Sequence, residues 1–312
     1  MHSLLGTLPS VRRIVAALMF VAAACGGDPT APSLAGTLGT IPGEVDIVVS
    51  SLHQVLAEVV DNPPVLYRRI QDLRLASDAA VLYDRVGRIE APGLDADLER
   101  YTGFVGDLLL ATGDLDAAVA VADMPGVALG WLRIEAGAGS LAVGLDPRDC
   151  PLVAPAITVD LCVPAGLTGY DAGLEESVRR FLGSYRPVMR LPVAFDDEVR
   201  SDIVATLAPE VVAVIDAALE DLVVLTPSNP QVGVHDAFVT HLMVLRGIWS
   251  DADASGDDSL LWPTLEADLV AAACDGAEAF AAGRALLGAA EPDSTIPALG
   301  AMWFDGEGTG CP

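Results

Sequence analysis

From Glu44 onward, apolar residues return every three or four positions, and that period restricts the chain to helices packed through one face. Val45, Val48, Val49, Leu52, Leu56, Val59 and Val60 make the first stripe. Spacing of three and four stacks side chains on one side of a helix, whereas a half-buried strand needs alternation. Asn62-Pro63-Pro64 ends this helix and opens another, with Asn62 as N-cap and Pro63 at the first position, where a missing N–H is harmless. In that second helix Leu66, Ile70, Leu73, Ala76 and Ala80 are expected inside, with Arg68, Arg69, Asp72 and Arg74 in water. Leu94, Leu98, Tyr101, Val105 and Leu108 form a third stripe, and short helical matter follows Asp114 as far as Met124-Pro125-Gly126.

The pattern then changes. Val127 to Glu135 and Ser140 to Leu145 flank Ala136-Gly137-Ala138-Gly139, which reads as a hairpin, and Ala156 to Val163 reads as a third strand. Turn signals at Asp146-Pro147 and Cys150-Pro151 lie between them. Residues 126–170 are therefore expected to be a small β-rich insert stapled by Cys150 and Cys162. Helices are expected again at 171–184, 196–206, 208–225, 234–249 and 262–288, followed by a C-terminal tail, 291–312. Asp196, Asp197 and Glu198 suit a helix first turn, where acids complement the dipole. No internal repeat of fixed period is visible.

Ahead of the helices, Arg12-Arg13 precede the apolar run Ile14 to Val21, and Ala22-Ala23-Ala24 lead into Cys25. Charge, then grease, then small residues is the order of an export signal. The uncharged run, Ile14 to Gly27, is 14 residues, short of the roughly 20 a spanning helix needs. Ala22-Ala23-Ala24-Cys25 resembles the bacterial lipobox, which implies that Cys25 is acylated and becomes the first mature residue. Ala22 stands where that motif usually has Leu, and Ala22-x-Ala24 also fits an ordinary signal-peptidase site at the same bond. Cysteine parity favours lipidation: of 5 cysteines, Cys25 removed leaves an even set, Cys150, Cys162, Cys274 and Cys311. The expected pairs are Cys150–Cys162 and Cys274–Cys311, on proximity alone among the three possible pairings. Arg12-Arg13 also resembles a twin-arginine signal, with Val11 a weak match before the pair. The expected organisation is a signal, 1–25, a Pro- and Gly-rich tether, 26–43, and a helical domain, 44–312.

Without the signal, 15 basic residues face 44 acidic ones, a net charge of −29, and lysine is absent. A field this negative repels nucleic acid and anionic lipid, so neither is an expected partner. Cations and basic proteins are what it would draw in. A GC-rich genome accounts for the Ala-, Gly-, Leu-, Val- and Asp-heavy usage, and 52% hydrophobic content argues against a heavily hydrated, salt-adapted surface.

Candidates for chemistry are few. Asp251-Ala252-Asp253-Ala254-Ser255-Gly256-Asp257 places oxygen ligands at alternate positions with glycine sixth, and so resembles the front half of an EF-hand loop. Asp251, Asp253, Ser255 and Asp257 are the implied calcium ligands. The twelfth position holds Trp262 in place of a bidentate glutamate, so the site would be weak, and the competing reading is a solvated acidic turn before a helix opened by Pro263. His235 and His241 are six apart on one helix and cannot share a metal as an i, i+4 pair would. With His53 they read as boundary histidines. Ala138-Gly139-Ser140-Leu141-Ala142 lacks the outer glycines of a nucleophile elbow. Glu175-Glu176 and Asp257-Asp258 read as solvated acidic faces, and Trp131, Trp249, Trp262 and Trp303 as core or rim anchors in preference to a ligand cage.

The chain is thus expected to be mainly α, an amphipathic helical bundle with a small disulfide-stapled β insert. It is read as an exported, lipid-anchored envelope protein, periplasmic or surface-facing, held to the membrane by its N-terminal lipid. Its domain is read as non-enzymatic, binding a protein or small ligand and needing no cofactor. The alternatives are a calcium-responsive domain using residues 251–259, and a hydrolase whose carboxylates converge only on folding.

Overall fold

The stripe that begins at Val45 buries Val45, Val48, Val49, Leu52 and Leu56 along one face of a helix. The computed structural model describes residues 33–59, 62–145, 148–153, 158–189, 196–255, 261–291 and 294–304. The lipobox-like Cys25, the terminal Cys311 and Asp257 lie outside them. A single turn, α1 (Leu34–Leu38), leads into α2 (Ile41–Val59), α3 (Pro63–Leu73) and α4 (Leu75–Val86). Then come the long helices α5 (Asp95–Ala120), α6 (Met124–Gly144), α7 (Gly169–Met189), α8 (Asp197–Val223), α9 (Val232–Ser255) and α10 (Leu261–Ala290). The short α11 (Ile296–Phe304) closes the described chain. From α4 to α10 each helix packs on the next in sequence, and α11 returns onto α7 and α10. Buried side chains from Leu34 to Phe304 join one contiguous core. Among the described residues no helix is long and apolar enough to cross a membrane.

Caps hold the helix starts. The Asp123 carboxylate accepts from the Gly126 N–H at 3.1 Å, and Asp196 from the Val199 N–H at 2.9 Å. Each satisfies a donor that the first helical turn leaves open. Asn62 caps α3 through its backbone carbonyl, which accepts from Val65 and Leu66.

The second expected helix is two. Arg74 takes a left-handed conformation, φ 54°, and resets the helical phase, so that Ala79, Leu82 and Val86 point inward while Ala80 is exposed. The opposite correction applies at Pro209, where two helices were expected and α8 runs through. Proline removes one backbone hydrogen bond there. Burial of Leu207, Ala208 and Val211 on either side offsets the loss.

Among the described residues the expected β insert is not seen. The expected hairpin, Val127 to Leu145, is the body of α6, and the described residues contain no strand. The reason is all-round burial: α6 is covered on several sides, with Val127, Ala128, Trp131, Leu132, Ile134, Ala138 and Leu141 inside. A helix apolar all round shows no one-sided stripe. Gly139, read as part of a hairpin turn, lies at a helix crossing. A Cβ there would stand 2.6 Å from the Gly183 carbonyl oxygen of α7. After α6 the chain makes two 3-10 turns, Cys150–Leu152 and Val159–Leu161. Cys150 is bonded to Cys162, with Cα atoms 5.7 Å apart. Ala156 and Ile157 of the third expected strand lie outside the described residues, and Val159 to Leu161 is helical turn instead of strand.

Candidate functional site

Two of the hollows are open grooves. One of about 750 Å³ runs between α4 and α5 beside Tyr83 and Leu110, and one of about 780 Å³ lies over α5, α6 and α7. The arginines of the second are already engaged. Arg100 donates to Asp97 at 3.1 Å and to the Gly144 carbonyl at 2.8 Å, and Arg180 donates to Asp221 at 2.7 Å.

A smaller hollow of about 220 Å³ is built differently, among α7, α9, α10 and α11, with exposed Met189, Glu266 and Val270 in its lining. Phe181 of α7 is stacked on both sides, with Tyr185 and Trp303 each 4.8 Å from it between ring centres. Helical spacing of four explains the first pair, and α11 delivers Trp303 to the other face. Tyr185 is fixed from behind, its hydroxyl accepting from the Trp249 indole N–H at 3.1 Å. Burial pushes the Tyr185 phenol well above its ordinary pKa, so it stays protonated. His241 of α9 lies 5.9 Å from the Trp303 ring. Loss of water lowers its pKa to about 4, although a hydrogen bond to the Ala272 backbone acts in the opposite sense. The imidazole is therefore neutral at physiological pH.

Trp262 of α10 forms another wall, and two residues of α8 hold it. The Trp262 backbone N–H donates to Ser201 Oγ at 3.0 Å, and the Arg200 guanidinium sits 5.5 Å from the ring centre. Its indole Nε1 is buried and has no hydrogen-bond partner. Arg186 donates to Asp160 and, at 3.0 Å, to the Met302 carbonyl, tying α11 and the turn after α6 onto α7. The lining thus mixes aromatic rings with aliphatic side chains such as Leu245 and Leu269, and carries two charged residues, Arg186 and Glu266.

The residues singled out in the sequence lie elsewhere. Asp251, Asp253 and Ser255 belong to the last turns of α9, and the Ser255 hydroxyl donates back to the Asp251 carbonyl at 2.7 Å. In a helix Asp251 and Asp253 are about 200° apart, so they do not converge as loop ligands would. Among the described residues no group of three or more His, Cys, Asp or Glu side chains is placed to hold a metal. Cys274, in α10, is disulfide-bonded, and its expected partner Cys311 lies outside the described residues. The three histidines among the described residues all have partners: His53 donates to Glu135 at 2.8 Å, His235 contacts the Tyr170 hydroxyl at 3.2 Å, and His241 is buried in the aromatic cluster. His235 and His241 are buried, contrary to their expected boundary placement.

Glu175 needs a correction too. It was expected on a solvated face, but it is fully buried at 0% exposure while Glu176 is exposed. Arg179, one turn on, donates to it at 2.6 Å and so compensates the charge. Glu135 is likewise buried, accepting from Trp131 at 2.9 Å as well as from His53. Asp171 and Glu291 are bridged by Gln231, whose amide donates to each at 3.1 Å. Burial raises the Asp171 pKa, with Glu291 and Glu175 adding to the effect. This pair pins the starts of α7 and α9 to the end of α10. Trp262 and Trp303 were legible as aromatic anchors; their meeting across one cavity was not, because no spacing links α10 to α11 through α7. Compared with models of known families, with curated proteins and with solved structures, the chain matches none.

Proposed function

We propose that this is an exported, lipid-anchored envelope protein whose helical domain binds a small molecule and performs no chemistry on it. The observation that carries the binding reading is the cavity of about 220 Å³ between α7, α9, α10 and α11, lined in part by the rings of Tyr185, His241, Trp262 and Trp303. The address rests on the order of residues from Arg12 to Cys25. The tether expected over 26–43 is shortened by the packing of Leu34, Leu38 and Ile41 in the core; a tether ahead of Leu34 would leave the domain free to sample its surroundings from the membrane surface.

Two measurements test it. Labelling with radioactive palmitate should mark the wild type in the membrane fraction, and Cys25→Ser should lose both label and membrane. Native mass spectrometry of protein extracted gently from cell envelopes should show a retained small molecule. Ala273→Phe, which fills the cavity, should lose it. A soluble, unlabelled wild type would remove the anchor, and an empty wild type indistinguishable from Ala273→Phe would remove the binding role.

A further inference from the structure

We propose that the groove between α4 and α5 is a docking surface for a basic amphipathic helix of another protein, an interaction separate from the small-molecule cavity above. Its shape comes from two glycines. Gly106 has no Cβ, and the Tyr83 ring of α4 lies 3.3 Å from where one would stand, so the ring rests against the α5 backbone. Gly103, three residues earlier and exposed, has nothing within 4 Å of its Cβ position, which leaves the floor of the groove open. The lining from Asp95 to Leu110 runs about 22 Å along α5 at roughly 1.5 Å per residue, room for a partner helix of about 15 residues. Tyr83 and Leu110 in that lining are 45% and 69% exposed, and Leu98 and Leu109 are half-buried. A helix lays its apolar face into such a groove through residues three and four apart.

Charge chooses the partner. Asp95, Glu99 and Asp107 are exposed in the lining, which holds no basic residue. Among the described residues none of the three is paired with an arginine, and Asp95 accepts only the Gly93 N–H, at 3.3 Å. The neighbouring groove over α5, α6 and α7 differs. There Asp97 and Glu176 are paired with Arg100 and Arg180, so two of its three acids are already met from within the chain. Lysine or arginine on the partner's polar face would meet the open carboxylates of the first groove while its apolar face covers Tyr83 and Leu110. A second copy would bring a surface of the same sign, the net charge of the chain being −27, and nucleic acid and anionic lipid are repelled for the same reason.

The test uses the full mature chain with Cys25→Ser, free of detergent, at ~0.15 M salt so that distant charges are screened. Fluorescent probes of about 15 residues, the length of the groove, are titrated by anisotropy: an amphipathic leucine–lysine helix, the same composition with its order scrambled, and the amphipathic helix with glutamate for lysine. The leucine–lysine helix is expected to bind at least roughly tenfold more tightly than either other probe. Glu99→Gln/Asp107→Asn should weaken it roughly threefold to tenfold, as loss of two exposed ion pairs implies. Asp251→Asn/Asp253→Asn, which removes the same charge from the end of α9, should leave it unchanged. Gly103→Leu, filling the open floor, should release it while melting no lower than the parent chain. Equal binding of the scrambled probe, or equal loss in both charge variants, would reduce the attraction to diffuse charge and overturn the groove. Undiminished binding by Gly103→Leu would overturn it too; if that variant melts lower, the comparison of the two charge variants decides. Equal binding of the glutamate probe would overturn the basic class, and binding of no probe would overturn the whole proposal. Dimerisation in sedimentation that Gly103→Leu abolishes would overturn it in favour of a second copy.

Discussion

A histidine shut away from water takes up a proton only against the cost of charging a buried group, and His241 is in that position. Its pKa is lowered from 6.5 to about 4, chiefly by burial. The unfolded chain therefore binds a proton at higher pH than the folded one does. Stability from this residue is fully present above pH 6.5 and is lost as pH falls toward 4, about 3 kcal/mol in all. Urea denaturation at both ends of that window should show wild type losing this much more than His241→Asn. Burial raises the pKa of Asp46, Asp116 and Asp171, which acts in the opposite direction, but it acts in both proteins and cancels in the comparison. Equal losses would mean that His241 is hydrated in the fold. The buried Glu175 gives a second prediction. Arg179→Met should destabilise by about 3–5 kcal/mol because it leaves a buried carboxylate uncompensated, whereas Glu175→Met/Arg179→Met should recover much of that. Chemical denaturation of the two variants measures the difference.

At the scale of elements, glycines in similar sequence surroundings have opposite effects. Gly139 lies where α6 crosses α7, and its missing Cβ lets two backbones touch at Gly183. Gly139→Ala should force the helices apart and cost about 1–3 kcal/mol. Gly103, inside α5, has nothing within 4 Å of where a Cβ would stand. Gly103→Ala should stabilise by about 0.5–1 kcal/mol, because alanine loses less backbone freedom in a helix. Thermal melts of the two should move in opposite directions. If both rise, the α6–α7 contact is looser than its geometry states. Helix breaks follow the same logic. Pro209 did not end α8 because its neighbours are buried on both sides, while Arg74 ended α3 with no sequence warning.

Across the whole molecule, self-repulsion works against compactness. The net charge is −27 for the full chain, and charges on the surface act over roughly 30 Å at ~0.01 M salt but only about 8 Å at ~0.15 M. The melting temperature should rise over that range. Sodium and tetramethylammonium chlorides should act alike, since screening does not depend on which cation supplies it. Calcium at matched ionic strength should add nothing more, and Asp251→Ala/Asp253→Ala should leave this unchanged. A calcium-specific rise that the double variant loses would show that the end of α9 unwinds to hold the ion.

The helical class was determined by sequence alone, because three-and-four spacing of apolar residues is a local signal and burial of one face follows from it. Caps such as Asp196 were legible for the same reason, since donor and acceptor lie three residues apart. Tertiary structure decided the rest. Residues 126–144 became α6 because neighbouring helices surround it, and a helix covered on every side carries no stripe to read. Glu175 turned inward because Arg179 met it there, a pairing that spacing allows but does not require. The cavity exists because α11 brings Trp303 back to Phe181 while α8 fixes Trp262. Those contacts join residues up to 122 positions apart, and their geometry depends on the packing of whole helices.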